Sequence, residues 1–184
     1  KTRGIIPVDY SGIPCDWPTL SRLAAKKKII LIDDASHALG ASYQANGRWY
    51  KVGSCAHADM TTFSFHPLKS ITTGEGGAIL TNRKDIFEKL MMLRTHGINP
   101  DKRMVTLGFN YRITDIQCAL GTSQLKKLDA FVAKRTVIAE RYQKAFEGNS
   151  RFDILTAPDC VKSSHHLFPI LLKDLSATQK VFDQ

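Results

Sequence analysis

The sequence predicts an α/β protein built on a largely parallel sheet, followed by the opening of a smaller α+β unit. Three observations carry that expectation. Ile29–Ile32 is a continuous apolar run of the kind buried on both faces of a parallel sheet, and it stops at Asp33 and Asp34, where an open α/β sheet places its ligand. Strand-like and helical runs alternate along the chain as far as Gly148. Beyond Gly148 the texture changes to short strand-like runs, Phe152–Leu155 and His166–Leu172.

The elements follow in order. Ile5–Val8 reads as a strand, and Lys26–Lys28 as the solvated end of a helix. Asn46–Gly47 predicts a tight hairpin turn before Trp49–Val52. Thr61–Phe65 and Ala78–Thr81 are two further strands joined by a polar, glycine-rich loop. Asn82 is the expected N-cap of a helix carrying Ile86, Phe87, Leu90 and Leu93 on one face. Thr114–Gln117 has the form of a capping box, with Asp115 in the first turn. A helical stretch from Ile116 to Phe146 follows, long enough to contain a break, with Gly121 placed for close packing. Ser176–Gln179 forms a second such box, with Val181 and Phe182 as the first buried positions. The division expected is a larger α/β domain over residues 1–125, then a bridging helix and smaller domain over 126–184. Because strand-like sequence begins almost at Lys1 and the last helix has little room, the chain is expected to be an internal piece of a longer protein.

Composition removes several classes. Lys and Arg number 26 against 17 Asp and Glu, a net charge of +9. These charges are spread along the chain without a zinc-finger, RNA-binding or basic heptad signature, so nucleic acid is not an expected partner. A field of that sign instead suits an anionic small molecule such as a phosphate ester. The longest apolar run, Leu167–Leu172, is far below the ~18 residues of a membrane span, and no signal-peptide pattern is present. Cys15, Cys55, Cys118 and Cys160 lie tens of residues apart, away from histidine clusters. That spacing favours free thiols in a reducing cytoplasm over a disulfide framework or a metal site, and no metal is expected.

The chemistry concentrates in Thr62–Lys69 and Thr72–Gly77. Lys69 sits in a glycine- and threonine-rich loop just after a strand, without the Gly-Lys-Ser/Thr ending of a nucleoside-triphosphate loop. An amine desolvated near a sheet edge is suited to forming a Schiff base. Ser64, five residues earlier, offers a hydroxyl beside turn amides that can hold a phosphate. Asp34, at a strand end, completes the set that pyridoxal phosphate requires: a lysine, a phosphate cradle and an acid for the pyridine nitrogen.

Taken in order, Asp33–Ala41, Phe63–Lys69, Gly74–Gly77, Gly108–Arg112 and Thr114–Gln117 resemble the nucleotide-sugar aminotransferases of the DegT/DnrJ/EryC1/StrS family. The likeness spans nearly the whole chain. It implies the fold-type I, aspartate-aminotransferase architecture, here as part of the large domain and the start of the small one. It also implies pyridoxal 5′-phosphate as cofactor, and a homodimer with shared active sites. Lys69 matches the lysine that binds the cofactor and shuttles the proton, and Asp34 the acid that keeps the pyridine nitrogen protonated. His37 falls where the family has Gln or His near the cofactor ring, and Ser64 matches the phosphate-binding serine. Asn110 matches an asparagine that reaches the cofactor phosphate or substrate of the neighbouring subunit, and Arg112 is a further substrate-contact candidate. His66 and His166 lie inside family-like phrases without an assigned role. Within the family, Thr72–Gly77, Met104–Lys127 and Ser163–Ile170 resemble most the members that serve pseudaminic acid biosynthesis. The implied reaction moves an amino group, from an amino acid such as glutamate, to C4 of a UDP-linked 4-keto-6-deoxy amino sugar. Two alternatives are a member acting on another keto-sugar nucleotide, such as a dTDP sugar, and a truncated, non-catalytic binding or assembly piece. Lys69 itself argues against the family's dehydratases, which carry histidine there.

Overall fold

The computed structural model describes residues 1–174. The Ser176–Gln179 box with Val181 and Phe182 therefore lies outside the described residues.

Asp16 opens helix α1 (Trp17–Lys27) by accepting the Thr19 N–H at 3.1 Å, with a proline in the first turn. Lys26 and Lys27 sit in its last turn, where cations complement the helix dipole. The main sheet has the order β1 (Gly4–Ile5), β2 (Ile30–Asp34), β5 (Met60–Ser64), β6 (Gly77–Leu80). The first three strands run parallel and β6 returns antiparallel to β5. Asp34 pairs with Thr62, so Asp34 and Ser64 end their strands at the same edge.

β2 departs from the sequence expectation. Leu31 and Asp33 are buried, whereas Ile30 is 39% exposed and Ile32 and Asp34 are half-buried. Only the face that joins the core with Trp17 and Ala24 of α1 is sealed. Ala35, Ala38, Ala41, Tyr43, Val52 and Phe63 complete that core.

A second sheet has the order β4 (Arg48–Lys51), β3 (Ser42–Ala45), β8 (Val161–Lys162). The β3–β4 turn has positive φ at both Asn46 (49°) and Gly47 (74°), the conformation the Asn-Gly pair is suited to. β8 is not apparent in the sequence pattern. It pairs Ser42 with Lys162 and Tyr43 with Val161, and so joins the segment after α4 to this second sheet. β7 (Phe152–Ile154) pairs with β9 (Ile170–Leu172) antiparallel. The predicted strand over His166–Leu172 is thus shortened to its end, because His166 and Leu167 spend their N–H groups on Ser11.

Helix α2 (Lys84–Arg94) starts one residue later than expected, with Arg83 at the N-cap. Asn82 does not cap it, because its amide donates to the carbonyls of Ser54 (3.0 Å) and Cys55 (3.3 Å). The capping box at Thr114–Gln117 is formed in both directions and opens α3 (Asp115–Leu125). Helix α4 (Leu128–Ala145) follows after a break at 126–127. Phe87, Ile116 and Leu120 remain exposed, at 54%, 85% and 43%, so these apolar faces lack a cover among the described residues.

Gln117 Nε2 donates to Glu75 O at 2.8 Å, which ties α3 to the loop after Lys69. Gly121 lies on the same contact: a Cβ there would stand 2.9 Å from Thr73 Cγ2. Thr73 is 4% exposed and its hydroxyl is held by Glu75 O at 2.7 Å, so it cannot swing aside cheaply. Gly121→Val is expected to destabilise by about 1–3 kcal/mol through overpacking. Gly121→Ala should come out milder, because alanine returns ~1 kcal/mol of helix propensity. Denaturant midpoints of the two variants would check this, and an unchanged midpoint for the valine would deny the close approach.

Candidate active site

The parallel strands present Asp34 and Ser64 at one edge, and three loops close around it. Immediately past β2, Asp34 Oδ1 accepts from Ser36 N–H (3.1 Å) and Ser36 Oγ (2.6 Å). These bonds set the carboxylate while the turn carries His37 forward. Asp34 is further held by backbone pairing: its N–H donates to Pro7 O and its carbonyl accepts the Asp9 N–H, both at 3.0 Å.

Past β5 the chain turns through His66–Lys69. His66 N–H reaches Ser64 Oγ at 3.4 Å, Leu68 N–H donates to His66 Nδ1 at 3.2 Å, and Lys69 N–H donates to His66 O at 2.9 Å. Thr72 Oγ1 and Thr73 N–H both donate to Phe65 O and fasten the loop. The Lys69 side chain is half-buried, not enclosed, and none of the ion pairs among the described residues involves it.

The third loop is the turn Tyr10–Gly12, against which Ser164–Leu167 docks. Ser11 is 2% exposed and adopts a left-handed φ of 64°. Its N–H donates to His37 Nδ1 (3.4 Å), its hydroxyl to Leu167 O (2.9 Å), and its carbonyl accepts from His166 N–H (3.0 Å). Ser164, fully buried, donates its hydroxyl to His37 O at 3.0 Å. A side chain at Gly12 would collide with Ser164 Oγ. Arg135 of α4 secures the same segment, with Nη1 donating to the carbonyls of His165 and His166 at 3.2 Å each.

The result is a cluster of two imidazoles. His37 and His166 have ring centroids 4.5 Å apart, and Tyr10 lies 5.7 Å from His37 on another side. His37 is held below the usual histidine range by burial first and then by the Lys69 charge, with Asp34 opposing. Burial pushes His166 down to about 4, with His37, Lys69 and Arg135 adding to it. Both rings are therefore neutral at neutral pH. The Ser11 bond leaves Nδ1 of His37 as acceptor and places its proton on Nε2. His166 Nδ1 is buried without a hydrogen-bond partner, a polar atom that a ligand could satisfy.

Of the residues singled out in the sequence, Asp34, His37, Ser64 and Lys69 come to this edge. Asn110 and Arg112 lie on the segment after α2. Both are exposed, Arg112 donates to Asn110 at 3.4 Å, and the backbone around them bonds to the end of α2. His166, Ser164, Ser11 and Arg135 had no assigned role from sequence. The adjacent polar run Ser163–His166 was the available signal, but its target, Ser11, is 156 residues from Leu167 along the chain.

The donor set suits a phosphorylated aromatic aldehyde. It offers an amine for the carbonyl, a carboxylate for a ring nitrogen, a hydroxyl for the phosphate and neutral imidazoles beside an orphaned nitrogen. Comparison with known proteins agrees. The model of the DegT/DnrJ/EryC1/StrS aminotransferase family matches residues 1–182. The chain is 49% identical over 169 residues to a Campylobacter jejuni UDP-4-amino-4,6-dideoxy-N-acetyl-beta-L-altrosamine transaminase, covering 90% of this chain and 43% of that protein. It thus spans less than half the length of that relative. Among solved structures, a Helicobacter pylori aminotransferase involved in the biosynthesis of pseudoaminic acid superposes with a TM-score of 0.85 at 36% identity, over 98% of this chain and 48% of that one. Bacillus subtilis NtdA, solved with the bound cofactor PMP, superposes with a TM-score of 0.84 at 25% identity, over 99% and 40%.

Proposed function

The chain belongs to the DegT/DnrJ/EryC1/StrS aminotransferase family, and on that premise we propose that it carries the cofactor-holding half of a pyridoxal-phosphate-dependent sugar aminotransferase. The reaction transfers an amino group, from glutamate as donor, to C4 of a UDP-linked 4-keto-6-deoxy amino sugar. The observation that carries this reading is the convergence of Asp34, Lys69 and two neutral histidines at the carboxyl ends of β2 and β5.

Pyridoxal phosphate, when bound, supplies an electron sink for the pair released as a proton leaves the carbon next to the transferred nitrogen. Lys69 Nζ would hold the cofactor's aldehyde carbon and serve as the group that takes up and returns the proton. Asp34 would pair with the ring nitrogen, its geometry kept by Ser36. Ser64 Oγ would donate to the phosphate. His37 and His166, being neutral, line the site without adding positive charge that would compete for Asp34. Residues 1–125 form part of the cofactor-binding large domain, and 126–184 the bridging helix and the start of the small one. Asn110 and Arg112, both exposed, would serve the site of a second copy in a homodimer. Four free thiols suit a cytoplasmic enzyme.

The purified protein, given pyridoxal phosphate, glutamate and a panel of UDP- and dTDP-linked 4-keto-6-deoxy sugars, is expected to aminate the UDP-linked amino sugar. Transfer to a dTDP sugar would redirect the substrate assignment. Bound cofactor without transfer to any sugar would favour a binding role.

A further inference from the structure

Asp33 has no part in the chemistry above, yet it is 4% exposed and faces Asp9, which is fully buried. Strand alternation turns Asp33 to the opposite side of β2 from Asp34, into the core with Trp17. There the Asp9 carboxylate accepts from Cys15 N–H (2.8 Å) and from Trp17 Nε1 at 3.1 and 3.3 Å. Asp33 Oδ2 accepts from Thr61 Oγ1 at 3.1 Å. The remaining oxygen, Asp33 Oδ1, is buried with no donor. Asp9 N–H donates to Asp34 O at 3.0 Å, which sets Asp9 beside the end of β2, and Asp33 feels the charge of Asp9. No lysine or arginine among the described residues forms an ion pair with either.

Two buried acceptors facing each other without a cation are stable only with a proton between them. We propose that Asp9 and Asp33 hold one such proton, with Asp33 as donor and Asp9 as acceptor, and so act as a positioning pair behind Asp34. Asp9 already has donors that stabilise its charge, whereas Asp33 has a single neutral one. Burial accordingly pushes Asp33 up to about 8, with the charges of Asp9 and Asp34 adding and Thr61 opposing. Asp9 is pushed up to about 6, also by burial. The other titratable groups that feel Asp33 are Cys15, Tyr43 and Cys55, and none is a cation. The consequence reaches the site through the backbone. Asp9 and Asp34 belong to paired segments, and full ionisation would place three carboxylates on them. One shared proton limits that repulsion behind Asp34, which points to the other side of β2. This use of Asp34 rests on the proposed function, but the shared proton does not.

The test needs no cofactor. Asp33 keeps its proton in the folded protein to about pH 8, while the unfolded chain loses it near 3.8. Stability therefore falls as pH rises through that interval and the loss is complete above it. Between pH 6.5 and 8 the contribution stands clear, because the depressed histidines act below 6.5 and Cys15 acts only above 9. The folding constant of the purified protein should fall over this window with a slope approaching about tenfold per pH unit. Asp33→Asn, whose amide can donate to Asp9 in place of the proton, should flatten that slope. Infrared spectra at pH 7 should show the carbonyl stretch of a protonated carboxylic acid that is missing from the variant. A variant with the unaltered slope, or unaltered protein without that band at pH 7, would overturn the proposal. The second measurement decides even where the variant fails to fold.

Discussion

Borohydride reduction of the protein in the presence of pyridoxal phosphate is expected to add the reduced cofactor's mass at Lys69, and Lys69→Ala is expected to abolish that increment. The argument is one of position. The other lysines among the described residues are exposed, whereas Lys69 emerges half-buried from a loop pinned by Phe65, Thr72 and Thr73. Its charge is felt by His37 and His166, which places its amine among the groups at the sheet edge. Loss of a general acid–base group alone costs on the order of 10² to 10⁴ in rate, and in the proposed function Lys69 also anchors the cofactor covalently. Transamination by Lys69→Ala should therefore fall by at least that factor. Peptide mapping by mass spectrometry reads the first effect and a coupled glutamate assay the second. Cofactor still retained covalently in the variant would remove Lys69 from its assigned role.

Asp34→Asn should give the second largest loss, and it isolates charge from shape. Asparagine keeps an oxygen to accept from Ser36 and leaves the backbone bonds to Pro7 and Asp9 in place. What disappears is the negative charge opposite a protonated ring nitrogen. Breaking a buried pair by removing one partner costs roughly 3–5 kcal/mol. Asp34 is half-buried, so solvent screening moves the expectation to the lower end, about 3 kcal/mol or two decades in turnover. Circular dichroism and thermal denaturation should stay close to those of the unaltered protein while turnover falls. A variant with undiminished turnover would refute the ring-nitrogen assignment, and one that unfolds would make Asp34 a structural residue first.

The features legible in the sequence share a short range. Thr114 and Gln117 cap each other across three residues, Asn46 and Gly47 accept left-handed backbone, and Gly121 leaves room beside Thr73. Asp34 and Lys69 were readable because each follows a strand at a fixed step, and parallel pairing carries both to one edge. Asn82 was misread for a related reason. Its residue type suits a cap, but its amide found carbonyls 27 and 28 residues away. The apolar run of β2 signalled a strand without showing that one face would face the site. His166 was passed over, since its place depends on β8 joining β3 and on backbone bonds to Ser11.

By itself the sequence determined the α/β class and the family and singled out the candidate residues for a cofactor, because turn chemistry, strand ends and characteristic phrases are local properties of the chain. Only the tertiary structure decided which groups surround Lys69 and which aspartate faces outward. Ser164 reaches His37 across 127 residues, and Asp9 is brought to the end of β2 by the bridge between Val8 and Asp34. Burial then set the state of each group, depressing the imidazoles and raising the inward carboxyls, and burial is a property of packed neighbours that residue order does not display.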